Sequence, residues 1–215
     1  MKKVPVIFRI LIFFMGYPLQ MMLPLFRLPN FIIRRRLLEN REKNENIKLK
    51  FPLNGQKKGE MAEYRLGIKN FAHGGCGAIA VYNALGLTGR EPDMKDIVTF
   101  LEEKGMNCYG LLGVNPTGIC KYLTKQGIVW RRFRDAADAE REYRDGDCLI
   151  SQYNWASKKS LGTHYVALAR KDGVWYVYNI YNDCTEALRF RSLEEFLAHG
   201  EYCRPIMWIL VQRTG

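Results

Sequence analysis

Asn70-Phe71-Ala72-His73-Gly74-Gly75-Cys76-Gly77-Ala78-Ile79-Ala80-Val81-Tyr82-Asn83-Ala84-Leu85 sets one cysteine among three glycines, directly ahead of an apolar, alanine-rich run. Ile79, Tyr82 and Leu85 recur at helical spacing, so the run reads as a helix with a face toward a core. Gly74 and Gly75 can adopt backbone angles closed to other residues, and they predict a sharp turn before it. Cys76 then stands at a helix N-terminus. Free N–H groups and the positive end of the helix dipole favour thiolate there, the nucleophilic form of a thiol. On this stretch alone, a small buried cysteine beside a turn is the plain alternative.

A cysteine nucleophile needs a base, and the base needs an orienting partner. The chain has three histidines. His73 lies in the glycine turn, too close in sequence to Cys76 to pair with it readily. His199 ends the last helix, where a cation complements the dipole. His164 follows the polar loop Ser157–Thr163 and opens a strand. Asp172-Gly173, a favoured hairpin turn pair, joins the strand His164–Arg170 to the strand Val174–Asn179. The start of one strand and the end of the next lie side by side in such a hairpin, which puts Asn179 beside His164. An asparagine carbonyl can then fix the imidazole's tautomer and ring plane.

The order Cys76, His164, Asn179 resembles the papain-like cysteine peptidases, and is most similar to their compact bacterial branch that cleaves double-glycine leader peptides from bacteriocins. Gly75-Cys76-Gly77-Ala78, Gly162-Thr163-His164-Tyr165-Val166-Ala167-Leu168 and Trp175-Tyr176-Val177-Tyr178-Asn179 carry the likeness, over residues 66–183. The resemblance implies attack by Cys76, proton transfer by His164, orientation by Asn179 and a thioester acyl-enzyme. Family members place a glutamine six residues before the cysteine as an oxyanion donor. Here that position is Asn70, one methylene shorter. The bacteriocin branch carries Asp before the cysteine and at the third triad position, where this chain has Gly75 and Asn179. The implied substrate is a peptide or another acyl compound. Acyltransferases and amidases share this fold and its first half-reaction, and a membrane-associated binding protein could keep the fold without the chemistry.

The formal net charge is +11, but residues 1–58 carry 13 Lys and Arg against three Glu. Residues 59–215 are nearly neutral, with 20 basic and 19 acidic residues, which argues against nucleic acid as a partner. The longest uncharged run, Ile10 to Phe26, is 17 residues and holds Gly16, Pro18, Gln20 and Pro24. A spanning helix wants about 20 apolar residues, so residues 1–38 read as a basic interfacial segment, with Arg34-Arg35-Arg36 near anionic lipid. Should the run span instead, its charge asymmetry also keeps the domain cytoplasmic. Residues 39–60, polar and charged, read as a linker, and 61–215 as the domain. No two of the six cysteines form a C-x-x-C pair, so neither a metal nor a cofactor is implied.

Within the domain, Asp93 and Asn115-Pro116 open two further helices that end near Gly105 and Gly127. Short strands Ile128–Phe133, Cys148–Tyr153 and Ile206–Val211 flank the hairpin, and Ser192-Leu193-Glu194-Glu195 is a capping-box start. Helices first and an antiparallel sheet after make the fold class α+β, with the N-terminal helices packed on the sheet.

Overall fold

Helices dominate the first half of the chain and one antiparallel sheet the second in the computed structural model, which describes Ile7 and residues 30–214 apart from 107, 112, 158–159 and 201–202. Helix α1 spans Asn30–Asn44 and α2 Gly59–Glu63. A two-stranded ribbon follows, β1 (Arg65–Leu66) and β2 (Lys69–Asn70), turning at Gly67 with φ 59°. Helix α3 (Phe71–Gly74) leads through Gly75 into α4 (Cys76–Leu87), and α5 (Met94–Lys104) and α6 (Pro116–Lys125) come next. The remaining elements are β3 (Trp130–Phe133), α7 (Ala136–Glu142), β4 (Cys148–Ala156), β5 (Leu161–Lys171), β6 (Val174–Tyr178), β7 (Leu188–Phe190), α8 (Leu193–Ala198) and β8 (Cys203–Val211).

Four helices start on side chains that cap them, Asp135 accepting from the Ala137 N–H at 2.8 Å ahead of α7. Asp93 accepts from the Lys95 N–H at 2.8 Å, and Asn115 from the Thr117 N–H at 2.8 Å with Pro116 in the first turn. Ser192 accepts from the Glu195 N–H at 3.0 Å, while the Glu195 carboxylate reaches back to the Arg191 N–H. The six strands β3–β8 form one sheet in the order β3-β8-β4-β5-β6-β7, every pair antiparallel. Asp172 (φ 51°) and Gly173 (φ 75°) make the β5–β6 turn with both residues left-handed, as the twist of a two-residue hairpin loop demands. Sequence periodicity gave no sign of β7, a three-residue edge strand.

Helix α4 is buried from Cys76 through Leu85 on every side. It packs on the sheet face that presents Ile150, Tyr165, Ala167 and Ile209, and α5 and α6 join the same core through Ile97, Leu101, Ile119 and Leu123. The opposite face, with Val166, Leu168, Trp175, Val177 and Trp208, is covered by α7 and α8 through Tyr143, Leu193 and Phe196. Alternation along β4 and β5 therefore sends neighbouring side chains into two separate cores.

The stretch 39–60 is not a linker. Asn40 Nδ2 donates to the Gly67 carbonyl and to Glu102 Oε1, each at 2.8 Å. Asn44 pairs with the Arg65 N–H and carbonyl at 2.7 and 2.9 Å. The side chain of Asn83, 0% exposed in α4, holds both the N–H and the carbonyl of Leu53 at 2.8 Å. The folded unit thus begins by Asn40 rather than at Met61. Polar composition misled because these residues contribute directed hydrogen bonds rather than apolar area.

Most of the segment 1–38 lies outside the described residues. Arg35 and Arg36 sit on α1 and pair with Glu39. No described helix is long and apolar enough to cross a membrane. Cys76, Cys120, Cys148, Cys184 and Cys203 are free thiols.

Candidate active site

Strand β5 is eleven residues long, but β6 pairs with it only from Ala167 onward. Leu161–Val166 consequently has no strand beside it on that side, and the candidate site is built against this open edge. The first turn of α4 meets it, so that the Cys76 sulfur lies against the backbone N–H of Tyr165, the residue after His164. The backbone leaving β6 meets it as well, and His164 Nε2 donates to the Asn179 carbonyl at 2.6 Å. A carbonyl only accepts, so Nε2 carries the proton and Nδ1 is left with a lone pair. The ring is further steadied by Tyr153, edge-to-face at 5.8 Å. No described hydrogen bond joins the sulfur to the imidazole.

Asn179 is held on three sides. Its φ of 60° is left-handed, a region asparagine tolerates better than most residues. Its N–H donates to Asn54 Oδ1 at 2.8 Å. Its side-chain Oδ1 accepts from the Gln56 N–H at 3.2 Å, and its Nδ2 donates to Gln56 Oε1 at 3.3 Å. The side-chain amide is therefore spent on Gln56, and the main chain is what meets His164. Asn54 and Gln56 were invisible to sequence reasoning. They sit in a polar stretch with no periodicity, 125 and 123 residues from their partner.

The protonation states differ from those a helix N-terminus predicts. Burial pushes the Cys76 thiol up, although the N–H groups of Tyr165, Gly77 and Cys76 itself lie against the sulfur and pull the other way. Burial also pushes His164 down, partly offset by the Asn179 carbonyl. At neutral pH both directions favour the uncharged forms, thiol and imidazole. The glycines likewise play another part. Gly75 has an ordinary helical φ of −77°, and a Cβ there would meet Phe71 Cγ at 2.4 Å. A Cβ on Gly77 would meet Val114 at 2.6 Å. Close packing around the thiol, not backbone freedom, requires them.

Asn70 ends β2 and stands one helical turn before Cys76. Its Oδ1 accepts from His73 Nδ1 at 2.8 Å, and its Nδ2 has no hydrogen-bond partner among the described residues. His73 is thus tied to Asn70. His199 caps the end of α8, exposed, with its ring against Phe190 and Tyr181.

No protein-family model matches the sequence, and no curated protein does. Among solved structures, the chain is similar to the peptidase domain of Streptococcus ComA, a bifunctional ABC transporter of a quorum-sensing pathway. Identity is 14% and the TM-score 0.45, over 69% of this chain and 97% of that one. It is also similar to a double-glycine-motif protease from an AMS/PCAT transporter, solved with its leader peptide. There the identity is 16% and the TM-score 0.44, over 65% and 84% of the two chains. The structure itself shows the α+β class, helices with a six-stranded antiparallel sheet.

Two outcomes are expected from this geometry. His164 stays neutral in the fold, so as pH falls the unfolded chain takes up a proton first. Stability is full above the ordinary histidine pKa of about 6.5 and declines below it. The raised Cys76 pKa acts oppositely: its contribution is full below the ordinary thiol pKa of about 8.5 and is lost as pH rises through the folded value. Cys120 and Cys148, also raised by burial, share the alkaline limb. Thermal unfolding across pH should show His164→Ala flattening the acid limb specifically, and an unchanged acid limb would mean another group sets it. Second, Asn179→Gly should keep the imidazole's acceptor and the left-handed backbone, whereas Asn179→Ala strains that backbone by about 1–2 kcal/mol. Nitrogen NMR of His164 should therefore show the Nε2–H tautomer retained better in the glycine variant. Equal loss in both variants would give the orienting role to the side chain.

Proposed function

We propose that the chain is a cysteine hydrolase that cleaves peptide bonds through a thioester intermediate. The observation carrying this is the convergence at the open edge of β5. A buried thiol lies against the residue after a histidine whose Nε2–H is fixed by a carbonyl and whose Nδ1 takes no hydrogen bond among the described residues. In the first half-reaction His164 Nδ1 takes the Cys76 proton as the sulfur attacks the substrate carbonyl carbon. The oxyanion accepts hydrogen bonds from the Cys76 N–H and from Asn70 Nδ2, whose amide His73 holds by its other end. The imidazolium then gives its proton to the leaving amine as the carbon–nitrogen bond breaks. Water, deprotonated by His164, cleaves the thioester and restores the thiol.

Because the resting pair is neutral, no imidazolium needs to be stabilised before substrate arrives. Charge separation accompanies the attack itself. An acid limb in kcat/KM is expected below the ordinary histidine value of about 6.5, since protonated His164 is no base.

The basic apolar segment 1–38 we assign to an anionic membrane surface, because residues 1–58 hold nearly all the excess charge. The full chain should co-sediment with vesicles containing phosphatidylglycerol and lose the electrostatic part of that binding in high salt. Equal binding to neutral vesicles would refute the electrostatic role.

The catalytic assignment is tested with an electrophilic acyl probe and a panel of variants. Mass spectrometry should find Cys76 acylated, and Cys76→Ala and His164→Ala should abolish the reaction. Asn70→Ala should slow acylation by about 10²–10³ without changing the melting temperature. Asn54→Ala should slow it too, with Asn54→Asp restoring most of the rate because it keeps an acceptor for the Asn179 N–H. Labelling of a different cysteine, or indifference to His164, removes the proposal.

A further inference from the structure

A cavity of about 470 Å³ opens beside His164, between the β4–β5 pair, the segment after Asn179 and the end of α8. Its walls are Tyr153, Trp155, Ile180 and Phe196, with His164 and Cys203. The aromatic wall is built by register. Tyr153 faces His164 across the β4–β5 pair and packs edge-on against Phe196 at 5.6 Å. Trp155 faces Gly162, and a Cβ at Gly162 would meet its indole at 3.1 Å, so the missing side chain leaves room for the ring to lie across the strand. None of the described lining residues is Lys, Arg, Asp or Glu.

Cys76 does not line this cavity, and His164 does. The two are nonetheless close, since the Cys76 sulfur lies against the backbone N–H of Tyr165, the residue after His164. In the reaction proposed above, the imidazolium must come within hydrogen-bond reach of the leaving nitrogen to protonate it. The half of the substrate that departs as an amine therefore occupies the histidine's side of the thiol.

We infer that this cavity binds the leaving half of the substrate and takes from it one bulky apolar side chain, of the size of phenylalanine or leucine. The inference rests on the hydrolase reading for its direction, but not for the existence of the pocket. A lysine or arginine side chain would lose its hydration there with no carboxylate among the described lining residues. Glycine would leave the aromatic walls unfilled. Burying a phenylalanine or leucine side chain is worth about ten- to a hundredfold in affinity over leaving it exposed.

Two measurements test this on the full chain. In the first, binding of free phenylalaninamide, leucinamide, glycinamide and lysinamide to the Cys76→Ala protein is followed by calorimetry and tryptophan fluorescence. The two apolar amides should bind at least tenfold more tightly than glycinamide and lysinamide. Tyr181→Ala, which trims a half-exposed rim residue, and Cys203→Glu, which adds a charge to the wall, should each reduce that margin. In the second, wild-type protein receives substrates with one common acyl group and those four leaving amines. The apolar amines should raise the acylation rate about tenfold or more, while deacylation stays the same because the thioester is shared. No preference among the free amides overturns the pocket. Preference in binding with acylation indifferent to the amine overturns its place on the leaving side. Apolar amides bound tightly by a protein that acylates with none of the substrates leaves the pocket standing and removes the hydrolase reading instead.

Discussion

The site depends on a mismatch in strand length. β5 extends six residues, Leu161–Val166, beyond the reach of β6. An unpaired sheet edge carries main-chain donors and acceptors that must be satisfied, and ordinarily invites another strand. Here the edge is occupied by the first turn of a buried helix and by the backbone leaving the neighbouring strand. One brings Cys76 to the Tyr165 N–H, and the other brings the Asn179 carbonyl to the His164 ring. Had β6 continued alongside, both places would have been filled by ladder hydrogen bonds.

Much of this was legible in the residues, and the limits follow physical lines. The caps at Asp93, Asn115 and Ser192 act within three residues of themselves, so local chemistry reveals them. The Asp172-Gly173 hairpin and the helical spacing after Cys76 are local as well. What stayed hidden is non-local and polar. The segment around Leu53–Gln56 has no period to announce it, yet Asn83 clamps it to the central helix, and it supplies both groups that hold Asn179. Protonation was hidden for a related reason. The dipole of a helix end can be inferred from spacing, but the burial that outweighs it belongs to the whole core.

His164 and Tyr165, adjacent in sequence, project into different halves of the protein. Tyr165 belongs to the core shared with α4, and its hydroxyl donates to the Val114 carbonyl at 3.1 Å. His164 turns toward the aromatic wall that Tyr153 and Phe196 build with α8. The open strand edge is where the two halves meet, a thiol coming to it from one side and an imidazole from the other.

The strand order also has a kinetic corollary. β8, the last of the described strands, inserts between β3 and β4, and its Trp208 is wholly buried against the α8 side of the sheet. The thiol-bearing helix emerges from the ribosome more than a hundred residues before that strand does. Pairings of such long sequence separation form slowly, because loop closure must precede the contacts that reward it. A growing chain therefore holds its cysteine well before it holds the sheet that presents the histidine, and the two meet only when folding is complete.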